Sequence, residues 1–390
     1  MTPAARVQAA IEVLDLVIEA ARSNGAPADR LMAEWFRARR WAGSGDRRAV
    51  RELAYRAIRA CGEIPVTGRA AMVRLAALDE QVAALFDGSR HGPAPIRDDE
   101  PGAPSGVAPA WLVRRLADSG LEDEEAAALL DRAPLDIRLN TLKAGAQPLP
   151  EGGEKTVAAN GWRYPPETRI EPSRAYLEGV IEVQDTGSQL TCEVVGARPG
   201  ETVVDLCAGA GGKTLALAAA MENQGRLIAC DADRARLSRL APRAERAGAR
   251  NIETILLDAN RELEALQPFL GAADAVLVDA PCSGTGTWRR NPEARWRLTE
   301  KQLERYVAIQ SRLLDVAAGL VKPRGRLVFV TCSLLDAEGA DQAAGFLMRH
   351  PGWEVDRPGL PVGVARGDGV RLSPWRDGTD GFFVARFSRL

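Results

Sequence analysis

The sequence predicts a doubly wound α/β domain in its C-terminal half, preceded by an all-helical domain and a small α+β connector. Three observations carry that prediction. From Val180 onward, apolar strand-like runs end at Asp205, Cys230, Leu257, Asp279 and Thr331, each followed by a segment long enough to hold a helix. The first ~85 residues instead repeat apolar side chains at helical spacing. Between them, five prolines and three glycines between His91 and Ala110 mark a linker.

Taken in order, Val7, Ile11, Leu14 and Ile18 share one face of a first helix, and Asn24-Gly25 supplies its stop. Residues 49–60 form a second, with Val50, Leu53, Ala54, Ala57 and Ile58 on one stripe. Past the linker come a helical stretch (111–132) and the alternating segment Pro134-Leu-Asp-Ile-Arg-Leu-Asn140. The boundaries are then 1–90 helical, 91–106 linker, 107–180 connector and 181–390 α/β. Helices are expected at 214–221, 234–247, 261–269 and 301–321, the last carrying Leu303, Val307, Ile309, Leu313, Leu314, Ala317 and Leu320. Val355 and 382–387 add two strands, giving a mostly parallel sheet of about seven.

Composition narrows the function. The 390 residues carry 51 Lys+Arg against 53 Asp+Glu, with 46% hydrophobic and 27% charged residues, which excludes wholesale disorder. No apolar run approaches the ~18 residues of a membrane span. Glu12, Asp15 and Glu19 interrupt the first apolar stretch, so no secretory signal is read and a cytoplasmic location is expected. Six cysteines without a CxxC pair and only two histidines, His91 and His350, offer neither a disulfide framework nor a metal site. Nothing fixes an oligomeric state; a monomer is the default. Between Arg37 and Arg59, eight arginines face two acids, a local charge of 8 − 2 = +6. A solvated face and a phosphate-binding surface explain that cluster equally well.

In open α/β sheets, ligands bind beyond the carboxyl ends of the strands. The first strand ends in Asp205-Leu-Cys-Ala-Gly209-Ala-Gly211-Gly-Lys213-Thr214. A Walker loop would need Gly where Cys207 stands, and a dinucleotide fingerprint meets Thr214 at its third glycine. Asp231, 20 residues past Gly211, suits ribose hydroxyls, and Asp258 suits an exocyclic amine. Together they favour an adenosine-containing cofactor without saying which. Cys61, Cys192 and Cys230 read as inert small hydrophobes. Cys282 and Cys332 differ, because two strand ends would bring both thiols to the cofactor loop. Hydride transfer needs no such pair, whereas methylation of an unreactive ring carbon needs a nucleophile.

Six pieces carry a family resemblance: Gln184-Asp-Thr-Gly-Ser-Gln189, the Cys207–Thr214 loop, Asp279-Ala-Pro-Cys282, Arg289-Arg-Asn-Pro292, Thr331-Cys332-Ser333 and Asp380-Gly-Phe-Phe383. The C-terminal ~200 residues resemble the cytosine-5 RNA methyltransferases of the RsmB/Sun type. Asp46-Arg-Arg-Ala-Val-Arg-Glu-Leu-Ala-Tyr55 is similar to the NusB-like RNA-binding domain of bacterial members, and 134–140 to their connector. One departure is Ala210, where the family usually has proline. The resemblance implies a Rossmann-like class I methyltransferase domain binding S-adenosylmethionine with Cys207, Ala208, Gly209, Ala210, Gly211, Gly212, Lys213, Asp231, Asp258 and Asp279. Lys213 would stand near the methionine carboxylate. It further implies Cys332 as the nucleophile on cytosine, Cys282 assisting release and Asp279 holding the base edge. RNA is the implied partner, 16S rRNA first and tRNA open, with Arg47, Arg48, Arg289 and Arg290 as contacts. The run Trp288–Arg297, with four arginines and two indoles, is expected near single-stranded RNA. An NAD(P)-dependent oxidoreductase and a catalytically silent RNA-binding protein are the alternatives.

Overall fold

The fold was analysed in a computed structural model, which describes residues 1–390 apart from Asn24, Ala144, Ala146, Gln147 and Pro358. The Asn24 half of the expected helix stop therefore lies outside the described residues. The chain forms two compact units, Met1–Asp131 with Thr287–Thr299, and Arg132–Gly286 with Glu300–Leu390.

The first unit is helical, with α1 (Pro3–Arg22), α2 (Ala28–Ala38), α3 (Ser44–Ala60) and α4 (Gly68–Ala76) as its main helices. Thr2 caps α1 by accepting the Ala5 N–H, and Pro3 occupies the first turn, where a missing N–H costs nothing. Val7, Leu14, Val17 and Ile18 on α1 pack with Met32, Trp35, Phe36, Val50, Ile58 and Met72 in one core. Residues 287–299 belong to this unit. Arg295 is fully buried and donates to Ile58 O and Cys61 O at 2.7 Å each, joining the Cys61 N–H on the first of these carbonyls at the end of α3. Trp296 sits in the helical core, and its Nε1 donates to Gly62 O at 3.2 Å. Trp288 is 0% and Arg289 6% exposed. The arginine-and-tryptophan run expected to face RNA is thus largely interior, because its guanidiniums cap backbone carbonyls and its indoles supply core volume.

The second unit holds two sheets. Strands β1 (Leu135–Leu139), β2 (Glu154–Lys155), β3 (Gly161–Tyr164) and β4 (Ile181–Val183) form an antiparallel sheet in the order β2-β3-β1-β4. Its core contains Ile137, Tyr164, Ile170, Val180 and Ile181. The large sheet has nine strands: β5 (Thr202–Asp205), β6 (Arg226–Asp231), β7 (Ile252–Leu256), β8 (Ala273–Asp279), β9 (Val321–Thr331), β10 (Trp353–Val355), β11 (Val364–Arg366), β12 (Gly369–Leu372) and β13 (Phe382–Arg389). Its order is β11-β12-β13-β9-β8-β5-β6-β7, with β10 on β13. Strands β5 to β9 pair in parallel, and β10 to β13 attach antiparallel. The hairpin β11–β12 exceeds the expected seven strands, since three- and four-residue strands are too short to show alternation.

Strand order reverses between β5 and β8, which opens a crevice at their carboxyl ends. Three helices frame that end: α5 (Thr186–Val195), α6 (Gly212–Ala220) and α7 (Glu300–Leu320). On α7, Leu303, Leu313, Leu314, Ala317 and Leu320 are buried as the periodicity predicts. Among the described residues no helix is long and apolar enough to cross a membrane, and no group of His, Cys, Asp or Glu could hold a metal ion.

Candidate active site

The loop between β5 and α6 is shaped by backbone geometry that other residues resist. Gly211 has φ +86° and Gly209 φ +55°; a Cβ on the first would collide with Leu240, and one on the second would lie 2.6 Å from Arg236 Nη2. The Gly209 N–H donates to Asp231 Oδ2 at 2.7 Å, and the Asp233 N–H donates to Oδ1 at 2.7 Å, fixing that carboxylate at the end of β6. Ala210, which replaces the family's proline, has its carbonyl held by Arg243 Nη1 at 2.7 Å. A cross-loop hydrogen bond thereby restrains the position that a pyrrolidine ring would have stiffened.

Behind the loop lies a chain of charges. Thr214 Oγ1 donates to Asp205 Oδ2 at 2.7 Å, while Asp205 Oδ1 has no partner among the described residues. Burial pushes the Asp205 carboxyl up to about 7, against the pull of the Thr214 bond. Lys213 Nζ pairs with Asp279 Oδ2 at 2.7 Å and lies 5.4 Å from the centre of the Phe382 ring. Burial opposes its charge, but the Asp279 carboxylate outweighs burial and holds the ammonium above its usual range.

These elements bound a cavity of about 840 Å³, lined by Cys207, Asp231, Leu257, Asp279, Cys282 and Cys332, with Tyr306 and Ile309 of α7. Cys282 Sγ and Cys332 Sγ stand 3.3 Å apart. Their loops are tied to a third, since the Gly286 N–H donates to Cys332 O at 2.9 Å and the Gly381 N–H to Gly286 O at 2.8 Å. Beneath the thiols, Ser283, Thr285 and Ser333 share hydroxyl hydrogen bonds, and Gln310 Nε2 donates to Pro281 O at 2.9 Å. The hydrogen bond to Cys332, reinforced by burial, holds the Cys282 thiol well above its ordinary range. Burial does the same to Cys207.

Most of the expected residues converge here, but not all. Cys207, Asp231, Asp279, Cys282 and Cys332 line one cavity, and Ala208 through Lys213 form the adjoining turn. Asp258 does not join them. β7 ends two residues earlier, at Leu256, so Leu257 and Ala259 line the cavity while Asp258 faces solvent beside Arg261. Arg47 and Arg48 are exposed on the helical unit, whereas Arg289 is buried there and Arg290 half-buried. Asp205, Ser283, Tyr306, Gln310 and Glu338 escaped the sequence reading. Asp205 ends a strand and could have been suspected; a lone glutamate six residues past Cys332 carries no pattern.

Residues 193–388, half of the chain, match the family model described as 16S rRNA methyltransferase RsmB/F. The chain belongs to the RsmB/F family. A relative from Synechocystis, a probable ribosomal RNA small subunit methyltransferase B, is 33% identical over 72% of this chain and 66% of its own length. The ribosomal RNA small subunit methyltransferase B of Thermus thermophilus is 38% identical over 54% of this chain and 50% of its own. The chain thus spans half to about two thirds of the length of these curated relatives. Among solved structures, PH0851 aligns with a TM-score of 0.77 and 26% identity over 100% of this chain and 99% of that one. A methyltransferase homologue from Pyrococcus horikoshii gives 0.60 and 26% over 72% and 99%. Membership in RsmB/F sets aside the oxidoreductase alternative.

The cofactor of RsmB/F proteins is S-adenosylmethionine. The residues present fit it. A glycine turn permits close backbone approach, and Asp231 and Asp279 line the cavity with acidic groups suited to ribose hydroxyls and a sulfonium centre. Asp205 Oδ1, buried and without a partner among the described residues, lies behind the same turn.

Proposed function

We propose that this chain methylates carbon 5 of a cytosine in RNA, with 16S rRNA as substrate, through a covalent bond between Cys332 Sγ and carbon 6. The single observation that carries the reading is the 3.3 Å approach of two thiols at the wall of the cavity that Asp231 and Asp279 also line. S-adenosylmethionine, when bound, supplies the methyl group as an electrophile. Carbon 5 is a poor nucleophile, and addition of the Cys332 thiolate at carbon 6 gives it enamine character. Asp279 accepts from the amino edge and orients the ring for attack, while Lys213 beside it offsets the negative charge that develops on addition. Release then requires loss of the carbon-5 proton and cleavage of the carbon–sulfur bond, with Cys282 assisting.

The relatives named as small-subunit rRNA methyltransferases support the choice of RNA. The target base must leave its stack to reach such a cavity. Arg47 and Arg48, exposed close in sequence to Trp41, which is 68% exposed, are the side chains we assign to the RNA backbone and an unpaired base. In this reading the helical unit, residues 1–131 with 287–299, holds RNA, and the α/β part of the second unit catalyses, in the cytoplasm where rRNA is made.

Two substitutions test it with purified protein, 16S rRNA and labelled methyl donor. Cys332→Ala should reduce methylation to background. Cys282→Ala should accumulate protein covalently bound to RNA. Full turnover by the Cys332→Ala protein would falsify the assignment.

A further inference from the structure

Two thiols 3.3 Å apart share a problem, because ionising one favours keeping the proton on the other. Something must decide which sulfur becomes the nucleophile. Glu338 is placed to do so. It is 0% exposed, in the short turn Asp336–Glu338 that follows Cys332, and no Lys or Arg pairs with it among the described residues. Its Oε1 accepts the Ser283 N–H at 2.9 Å and Gln310 Nε2–H at 3.0 Å, and its Oε2 accepts the Ser283 hydroxyl. Three donors and no acceptor suit a carboxylate rather than a carboxylic acid. Ser283 is the residue after Cys282, and Gln310 also holds the Pro281 carbonyl before it. The anion is therefore anchored on the Cys282 loop from both sides.

The charges around the two thiols are unequal. The Lys213 ammonium, 2.7 Å from Asp279, is coupled electrostatically to Cys332. Tyr306, half-buried on α7, interacts with Cys282 and Glu338, and the exposed Arg305 beside it on the same helix is the positive charge that acts on Tyr306. The pair thus lies between an anion tied to one thiol's loop and an ammonium that acts on the other.

We propose that Glu338 is a positioning residue that selects the nucleophile, keeping the proton of the thiol pair on Cys282 and leaving Cys332 as the thiolate. One proton leaves the pair to solvent. The remaining Cys282 S–H donates to Cys332 S⁻, which then holds the electron pair that attacks carbon 6. This inference rests on the covalent reading above and adds the source of its asymmetry. The field of Glu338 also agrees with the upward displacement of the Cys282 thiol, to which it contributes after the Cys332 hydrogen bond, burial and the Cys332 charge.

The test reads thiol reactivity rather than turnover. The full chain is pulsed with iodoacetamide from pH 6 to 10, and peptides containing each cysteine are quantified by mass spectrometry. In the wild type, Cys332 should alkylate about tenfold faster than Cys282 at neutral pH. Glu338→Gln should cut that preference at least fivefold with the melting temperature within a few degrees, and Glu338→Asp, which keeps the charge, should restore it. Faster alkylation of Cys282 in the wild type overturns the proposal with no variant needed. So does an unchanged preference in a folded Glu338→Gln protein. The covalent reading fails separately, by turnover of Cys332→Ala.

Discussion

Asp205 is held inside the second unit with one oxygen on Thr214 and the other unpaired. Its folded-state carboxyl titrates at about 7, against an ordinary 3.8. Between those values the native state holds a proton that the unfolded chain has released, so stability falls as pH rises from about 4 to about 7. The full span corresponds to at most on the order of 4 kcal/mol. Asp205→Asn removes that dependence. Chemical denaturation at pH 5 and pH 8 should show the variant gaining on the wild type at the higher pH, and an equal gap at both would refute the account. Cys282 and Cys332 were legible because Pro-Cys and Thr-Cys-Ser each close an apolar run. Asp258 lies two residues past the end of β7, beside Arg261, where the sequence reading places it at the strand end itself. Glu338 was invisible, because its role comes from hydrogen bonds to Ser283 and Gln310, which are far away in sequence.

At the scale of elements, the parallel strands and the long α7 followed from hydrophobic runs and helical periodicity. The segment 287–299 did not, since arginines and tryptophans read the same whether they meet RNA or carbonyl groups. Arg295 makes the difference measurable. Truncation to alanine takes the Arg295 donor from the Cys61 carbonyl and leaves Ile58 O with the Cys61 N–H alone in a buried site, a loss of about 2 kcal/mol. Arg295→Ala should lower the melting temperature by several degrees, whereas a role in RNA contact alone would leave it unmoved. In the glycine turn, Gly211→Ala forces a side chain into a positive φ and against Leu240. Calorimetry should show at least tenfold weaker S-adenosylmethionine binding, and unaltered affinity would contradict the assigned cradle.

For the whole molecule, the parallel order sends β5 to β9 to finish at one end of the sheet, so five strand ends and one face of α7 build one cavity. That convergence is what the alternation of strands and helices encodes, and it explains why the site was largely readable. The RNA affinity we propose is carried differently, by surface charge that the overall balance of −2 conceals. Replacing Arg47 and Arg48 together by alanine should weaken RNA binding and flatten its salt dependence by roughly 1–2 in log–log slope. An unchanged slope would remove those side chains from the RNA path.

The covalent scheme can be interrogated at a single bond. Cys282→Ala protein incubated with 16S rRNA and S-adenosylmethionine, then digested with nuclease and protease, should yield a nucleotide-bearing peptide whose fragmentation puts the adduct on Cys332. A protein free of adduct while methylation proceeds, or an adduct on any other residue, would contradict it.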